Sequence, residues 1–244
     1  MRKWANVITG RGFVLSVLAV GFLLNGCGGA ITHEVCATVL ATEGSVEIDG
    51  QRASLPDSVK TRLDLCAGTI VRTSSGAQVQ IACLPNALVH LSENSALKIE
   101  SVTLRKDGNE TDDEMEARAV RCRLMTGAMD LSHRGTEGVA ELIASTPHGK
   151  LIARFNCVAR VAVDEKKTRI TCASGMVTFV PANGDAGVTV EGGFVTEWPS
   201  STPMVAAPAE NTSDQQALVD AFERAQRLEA LLKARGASFP WKSS

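Results

Sequence analysis

Hydrophobic positions along this 244-residue chain fall into three regimes. Phe13 to Leu24, FVLSVLAVGFLL, is an almost unbroken apolar run. At about twelve residues it is too short to cross a hydrocarbon core, which needs about 20 as helix. From Val39 to Trp198, apolar and polar residues alternate in short stretches separated by Gly, Pro, Asn, Asp and Ser, the period of two expected of half-buried strands. Beyond Ser213 the period lengthens. Leu218, Phe222, Ala225, Leu228 and Leu232 form one stripe at helical spacing, with Ala221 and Leu231 beside it. Ser213 is the expected cap, Asp214 lies in the first turn, and Gly236 ends the helix. The pattern predicts an all-β fold, an antiparallel β-sandwich or a solenoid-like β-roll, followed by a C-terminal amphipathic helix. Between them, the stretch 199–212 with Pro199, Pro203 and Pro208 reads as a linker.

The first apolar run gains meaning from its flanks. Arg2, Lys3 and Arg11 make the start basic, and the run closes on Leu24-Asn25-Gly26-Cys27. This resembles a bacterial lipobox: an aliphatic residue three before the cysteine, a small residue immediately before it, and a thiol to accept diacylglycerol. Residues 1–26 are thus expected to be a removed export signal, with Cys27 the lipid attachment site and 27–37 a tether. Each buried CH₂ of an acyl chain contributes about 0.8 kcal/mol, so two or three chains anchor stably. Gly28 after the cysteine favours the outer membrane, facing the periplasm.

Loss of the three basic leader residues leaves 22 Lys+Arg against 27 Asp+Glu, a mature charge of about −5. No basic stripe stands out, so nucleic acid is not an expected partner. Besides Cys27 the cysteines are Cys36, Cys66, Cys83, Cys122, Cys157 and Cys172. An even set in an oxidising compartment reads as disulfides, and the absence of CxxC argues against a redox site or zinc finger.

Strand register predicts which cysteines pair. If Cys66–Arg72 and Ala77–Cys83 form a hairpin around Thr73-Ser-Ser-Gly76, Ile70 faces Val79 and Cys66 faces Cys83, close enough for a disulfide. In a second hairpin, Ala153–Val163 with Thr168–Cys172 around Asp164–Lys167, Val161 faces Ile170 and Ala159 faces Cys172. Cys157 is then diagonal to Cys172, and a register change or bulge would join them. Elimination leaves Cys36–Cys122. Further strands are expected at 87–91, 97–104, 120–131, 139–145, 176–180 and 188–198, and the acidic stretch 107–117 reads as a solvated loop.

Several short motifs recur in order through this region. They are Gly44-Ser-Val46, Leu65-Cys-Ala-Gly-Thr-Ile-Val-Arg-Thr73, Val89-His-Leu-Ser-Glu-Asn-Ser-Ala-Leu97, Leu124-Met-Thr-Gly-Ala-Met129, Thr146-Pro-His-Gly149 and Gly175-Met-Val-Thr-Phe179. Together they resemble the FecR-like domain family, over residues 38–198. Thr69, where the family has an acidic residue, Pro85-Asn86 and Phe155-Asn-Cys157 depart from its pattern. Regulatory members are transmembrane proteins whose periplasmic part hears a TonB-dependent receptor and whose cytoplasmic segment controls a sigma factor. No such segment precedes the leader here. The resemblance therefore implies an envelope domain that contacts another envelope component, without the sigma-regulating output.

Catalytic constellations are not apparent. Asp130, Ser132 and His133 contain triad residue types, but neighbours on a strand point to opposite faces. His33 with Cys36 has metal-ligand spacing without a second pair, Asp107 to Asp113 lacks the EF-hand pattern, and His90 and His148 are isolated. No enzyme activity, metal or cofactor is expected. The expected role is non-enzymatic binding or scaffolding, alternatively sensing within an envelope signalling system. For the helix 213–236, followed by the tail 237–244, two roles remain: packing on the β domain, or self-association and docking into a partner groove through its stripe.

Overall fold

The computed structural model describes residues 31–53, 63–106, 117–134, 139–154, 156–199 and 206–235. The leader and Cys27, the acidic stretch 107–116, linker residues 200–205 and the stretch from Gly236 onward lie outside the described residues. In chain order the strands are β1 (Ile31–Glu34), β2 (Ala37–Glu43), β3 (Val46–Ile48), β4 (Gln51–Ala53), β5 (Asp64–Leu65), β6 (Ile70–Thr73), β7 (Gln78–Leu84), β8 (Ala87–Leu91) and β9 (Ala96–Lys106). They continue with β10 (Ala117–His133), β11 (Val139–Thr146), β12 (Gly149–Ala153), β13 (Cys157–Val163), β14 (Thr168–Ser174), β15 (Met176–Pro181), β16 (Val188–Glu191), β17 (Phe194–Trp198) and β18 (Ala207–Pro208). Helix α1 (Thr212–Arg235) follows.

These strands form two layers. The first runs β4-β3-β6-β9-β10-β11-β12-β15-β16, with β1 also on β9. The second runs β5-β2-β7-β8-β10-β13-β14-β17-β18. Among the described residues, only the β10–β11 pair is parallel. Strand β10 belongs to both layers, crossing at Gly127, whose φ is 86°. A Cβ there would overlap the Ser95 hydroxyl and come within 2.5 Å of Ser95 Cα, so the crossing needs glycine. The core lies between the layers, where Ile81, Leu91, Leu97, Leu124, Met129, Leu131, Leu151 and Phe179 are buried. The all-β expectation with a C-terminal helix holds, in two layers between which the chain repeatedly crosses.

That crossing habit overturns one expectation. β6 does not pair with β7: it lies between β3 and β9 in the first layer, while β7 lies between β2 and β8 in the second. Residues 74–77 are an arch between layers. Alternation cannot distinguish the two, because an arch and a hairpin both turn one apolar face of each arm inward. Cys66 and Cys83 are consequently not opposed. The disulfide instead joins Cys36 to Cys66, with Cα atoms 4.2 Å apart. Its cause is register: β2 and β5 pair antiparallel with Ala37 opposite Leu65, which sets Cys36 opposite Cys66 one step on. Cys36–Cys122 is excluded by the same bond.

The second hairpin holds in its register, with Val161 opposite Ile170, Ala159 opposite Cys172, and an irregularity between Val158 and Ala159. The irregularity does not bring the thiols together, and Cys157 and Cys172 are free. Two expected single strands are each split by a layer change: 153–163 into β12 and β13, and 188–198 into β16 and β17. The linker keeps β18, which pairs with β17. At α1 the cap is Asn211, not Ser213: Asp214 N donates to Asn211 Oδ1 at 2.8 Å. The stripe packs on the second layer's outer face, where Leu228 and Leu232 meet Leu40, Ala82 and Leu88. Ala221 and Ala225 are buried, and Phe222 stays 46% exposed. Packing on the β domain is thus what the stripe does.

Candidate binding site between the helix and the second layer

Alternation along the central strands of the second layer sends every other side chain outward, beneath or beside α1. Register then aligns five of these in one row across the sheet. Gln80 lies opposite His90, His90 opposite Asp130, Asp130 opposite Arg160, and Arg160 opposite Thr171. A polar row this continuous is unusual in a buried face, since each member must be satisfied or cost free energy.

Asp130, 2% exposed, is the hub. Arg160 Nη1 donates to both its oxygens at 2.9 and 3.1 Å. From the helix, Arg224 Nε reaches Asp130 Oδ2 at 2.7 Å. That contact is an ion pair without hydrogen-bond alignment, since Arg224 Nε has no hydrogen-bond partner. His90 is 3% exposed and its Nδ1 is unpartnered. Burial drives the His90 pKa down to about 4; the Asp130 charge opposes this, and Arg224, Arg160 and Arg227 add to it. The imidazole is therefore neutral at pH 7.

A second ionic cluster lies at the start of the helix. Arg169 on β14 donates from Nη2 to both oxygens of Asp214 at 2.6 Å, and from Nη1 to Glu197 at 2.8 Å. Lys167 Nζ donates to the same Glu197 at 3.1 Å. The Asp214 hydrogen bonds push the Arg169 pKa further up. Between the clusters, α1, the arch at 92–94 and the β13–β14 turn enclose a cavity of about 630 Å³ that His90, Glu93, Arg160, Lys167, Arg169 and Arg224 help to line.

Of the residues singled out from sequence, Asp130 and His90 fall in this row, and the others lie elsewhere. Cys83, Cys122, Cys157 and Cys172 are buried free thiols. Burial raises Cys83 and Cys157 to about 12 and Cys172 to about 11, and it raises Cys122 well above its ordinary value, so none is a thiolate at neutral pH. Cys36 is spent in a disulfide, which removes the His33–Cys36 metal notion. Ser132 lies opposite Leu88 on the helix side, while His133 lies opposite Ala87 of the inner core, so the two diverge. His148 Nδ1 holds Thr168 Oγ1 at 2.9 Å in a turn. His90, Asp130, Arg160 and Arg224 were not assembled from sequence. Their one local signal is a polar residue at an alternating position inside an apolar strand.

Residues 69–178 match the family model described as FecR protein. Two solved structures of candidate anti-sigma factors from Parabacteroides distasonis ATCC 8503 are similar in fold. One is 12% identical, with a TM-score of 0.44, covering 66% of this chain and 74% of its own. The other is 14% identical, with a TM-score of 0.43, covering 62% and 63%. No curated protein matches at significant similarity.

The motif residues inside the matched span hold arches together. Thr73 Oγ1 donates to Ser92 O at 2.6 Å and accepts from Ser95 N at 3.0 Å, while Ser95 Oγ accepts from Ala128 N at 2.9 Å. In the β11–β12 hairpin turn, Thr146 Oγ1 accepts from Gly149 N at 3.1 Å. They specify the fold. The ionic row specifies something more particular, and its helix members Arg224 and Asp214 fall outside the match.

Proposed function

We propose that this chain is a lipid-anchored envelope protein, attached through Cys27 to the outer membrane on its periplasmic side, whose FecR domain is a non-enzymatic binding or scaffold module. The carrying observation is the leader: basic start, short apolar run, and Leu24-Asn25-Gly26-Cys27 shortly before the first described strand. The Cys36–Cys66 disulfide fits an oxidising compartment. Neutral buried thiols and the divergence of Ser132 from His133 favour binding over catalysis. Mass spectrometry of the native product tests the anchor. A diacylglyceryl thioether at an acylated Cys27, lost in Cys27→Ser, is expected; an unmodified thiol or an intact leader would overturn it.

The FecR domain itself favours a second reading, a sensor component that contacts a TonB-dependent receptor or another membrane partner. Crosslinking in intact cells, with and without residues 200–244, separates the two. Capture of a receptor supports the sensor. Loss of partners on deletion assigns recognition to the helix, and unchanged partners assign it to the β domain.

A further inference from the structure

We propose that the cavity between α1 and the second layer binds a small polyanion carrying two oxyanion groups, held between Arg160 and Arg224 on one side and Lys167 and Arg169 on the other. The proposal deepens the binding-module reading and is independent of the lipid anchor.

Three observations carry it. First, the cations face the cavity with Asp130 and Asp214 behind them, while Glu197, 32% exposed, sits beside Lys167 and Arg169. Side chains of Arg160, Arg224, Arg169 and Lys167 are 23%, 25%, 35% and 45% exposed, whereas those of Asp130 and Asp214 are 2% and 5% exposed. The carboxylates that do line the cavity are already engaged: Glu93 Oε2 accepts from Gly76 N at 2.6 Å, and Asp164 Oδ1 accepts from Lys166 N and Lys167 N. A guanidinium has five donors in a planar fork, so Arg160, which pairs with Asp130 through Nη1 alone, keeps donors for a second oxyanion, while Arg169 already divides its own between Asp214 and Glu197.

Second, the buried His90 side chain borders this cavity with Nδ1 unpartnered. That nitrogen is shielded from solvent, and a turn of the neutral ring toward the cavity would bring an imidazole N–H to an oxyanion and satisfy an atom that otherwise costs desolvation free energy. Third, the register spaces the two cationic centres. Arg160 lies opposite Thr171 and Ala162 opposite Arg169, which makes Arg160 and Arg169 diagonal neighbours, about 7–8 Å apart at the backbone. The two guanidinium groups are held on different carboxylates, Arg160 on Asp130 and Arg169 on Asp214, and two oxyanions on a short scaffold match that division. A cavity of about 630 Å³ accommodates such a molecule. Since Arg224 comes from α1, the docked helix completes the site.

Calorimetry on the full chain in detergent, at low salt, tests this with succinate and inorganic pyrophosphate as probes and acetate and inorganic phosphate as single-group controls. Saturable binding of one probe per chain is expected, about tenfold tighter than its single-group control. Succinate alone would indicate a carboxylate ligand, pyrophosphate alone a phosphate ligand, and both a general two-oxyanion site; each supports the proposal. Lys167→Ala should weaken binding severalfold without unfolding the chain, because its pair with Glu197 is largely exposed. His90→Gln should weaken it too. Absence of saturable binding by either probe overturns the proposal. So does equal affinity for probes and controls, or binding unchanged in both variants.

Discussion

At the centre of strand β10 the two faces of the second layer are buried to the same depth and built on opposite principles. Leu131 on the inner face is 1% exposed, and its chain neighbour Asp130 on the outer face is 2% exposed. Inward, Leu91, Met129, Leu131, Val161 and Ile170 meet the first layer in an apolar core, stabilised by water exclusion and dispersion. Outward, the row Gln80, His90, Asp130, Arg160 and Thr171 meets a helix through ion pairs and a small apolar cluster around Leu228. Charges taken from water recover their desolvation cost only when fully paired, so the outer face adds little net stability and much directionality. Equal burial does not mean equal contribution. The inner face holds the fold; the outer face retains donors that a ligand can use.

Substitutions at neighbouring positions sharpen the contrast. Leu131→Ala should show the largest effect, about 2–5 kcal/mol, from lost transfer free energy and a residual cavity, read by urea unfolding. A loss below about 1 kcal/mol would mean that the core collapses around the site.

Acid should act on the outer face alone. His90 titrates near its ordinary 6.5 in the unfolded chain and near 4 in the fold, so the unfolded state binds more protons between those values. The stability that neutral His90 preserves is fully present above pH 6.5 and is lost as pH falls through the interval toward 4. Moving from pH 7 to 5 should cost on the order of 2 kcal/mol through this group. His90→Gln should flatten the thermal-stability profile over that range by a corresponding amount, and an unchanged slope would show that the imidazole is not desolvated in solution.

Asp130→Ala should cost about 1–3 kcal/mol, because Arg160 and Arg224 lose a shared buried acceptor. Replacing all three together, Asp130→Leu with Arg160→Met and Arg224→Met, should recover most of that stability. Failure to recover would indicate that the ionic row contributes to the fold directly. Arg134→Ala should matter least. It removes an ion pair with Glu229 whose side chains are 66% and 31% exposed, and a change below about 1 kcal/mol in chemical denaturation is expected.

Local features of the fold were readable because they depend on near neighbours. Asp49 and Gly50, both at positive φ, make the two-residue turn between β3 and β4 that the Asp-Gly dipeptide predicts. The 157–172 hairpin kept its register because Asp164 Oδ1 accepts from the amides of Lys166 and Lys167 and sets the turn. Connections that change layer were not readable. The arch at 74–77 and the splits near 154–156 and 192–193 carry the same alternation as hairpins, and only the opposing layer decides between them. Cysteine pairing failed for that reason, since one misassigned connection moved the partner of Cys66 from Cys36 to Cys83.

Period, turn chemistry and the leader are local properties, and from them this chain's own order of residues determined an all-β domain, a terminal amphipathic helix and an expected lipid anchor at Cys27. Which strands share a layer, which thiols meet, and whether the helix is docked depend on contacts between residues far apart in the chain. Tertiary structure alone gathered His90, Asp130, Arg160, Arg169 and Arg224 around one cavity. Each contributes a single polar position to its own strand or helix, and the charge pattern that gives them meaning exists only after four strands and a helix have been brought side by side.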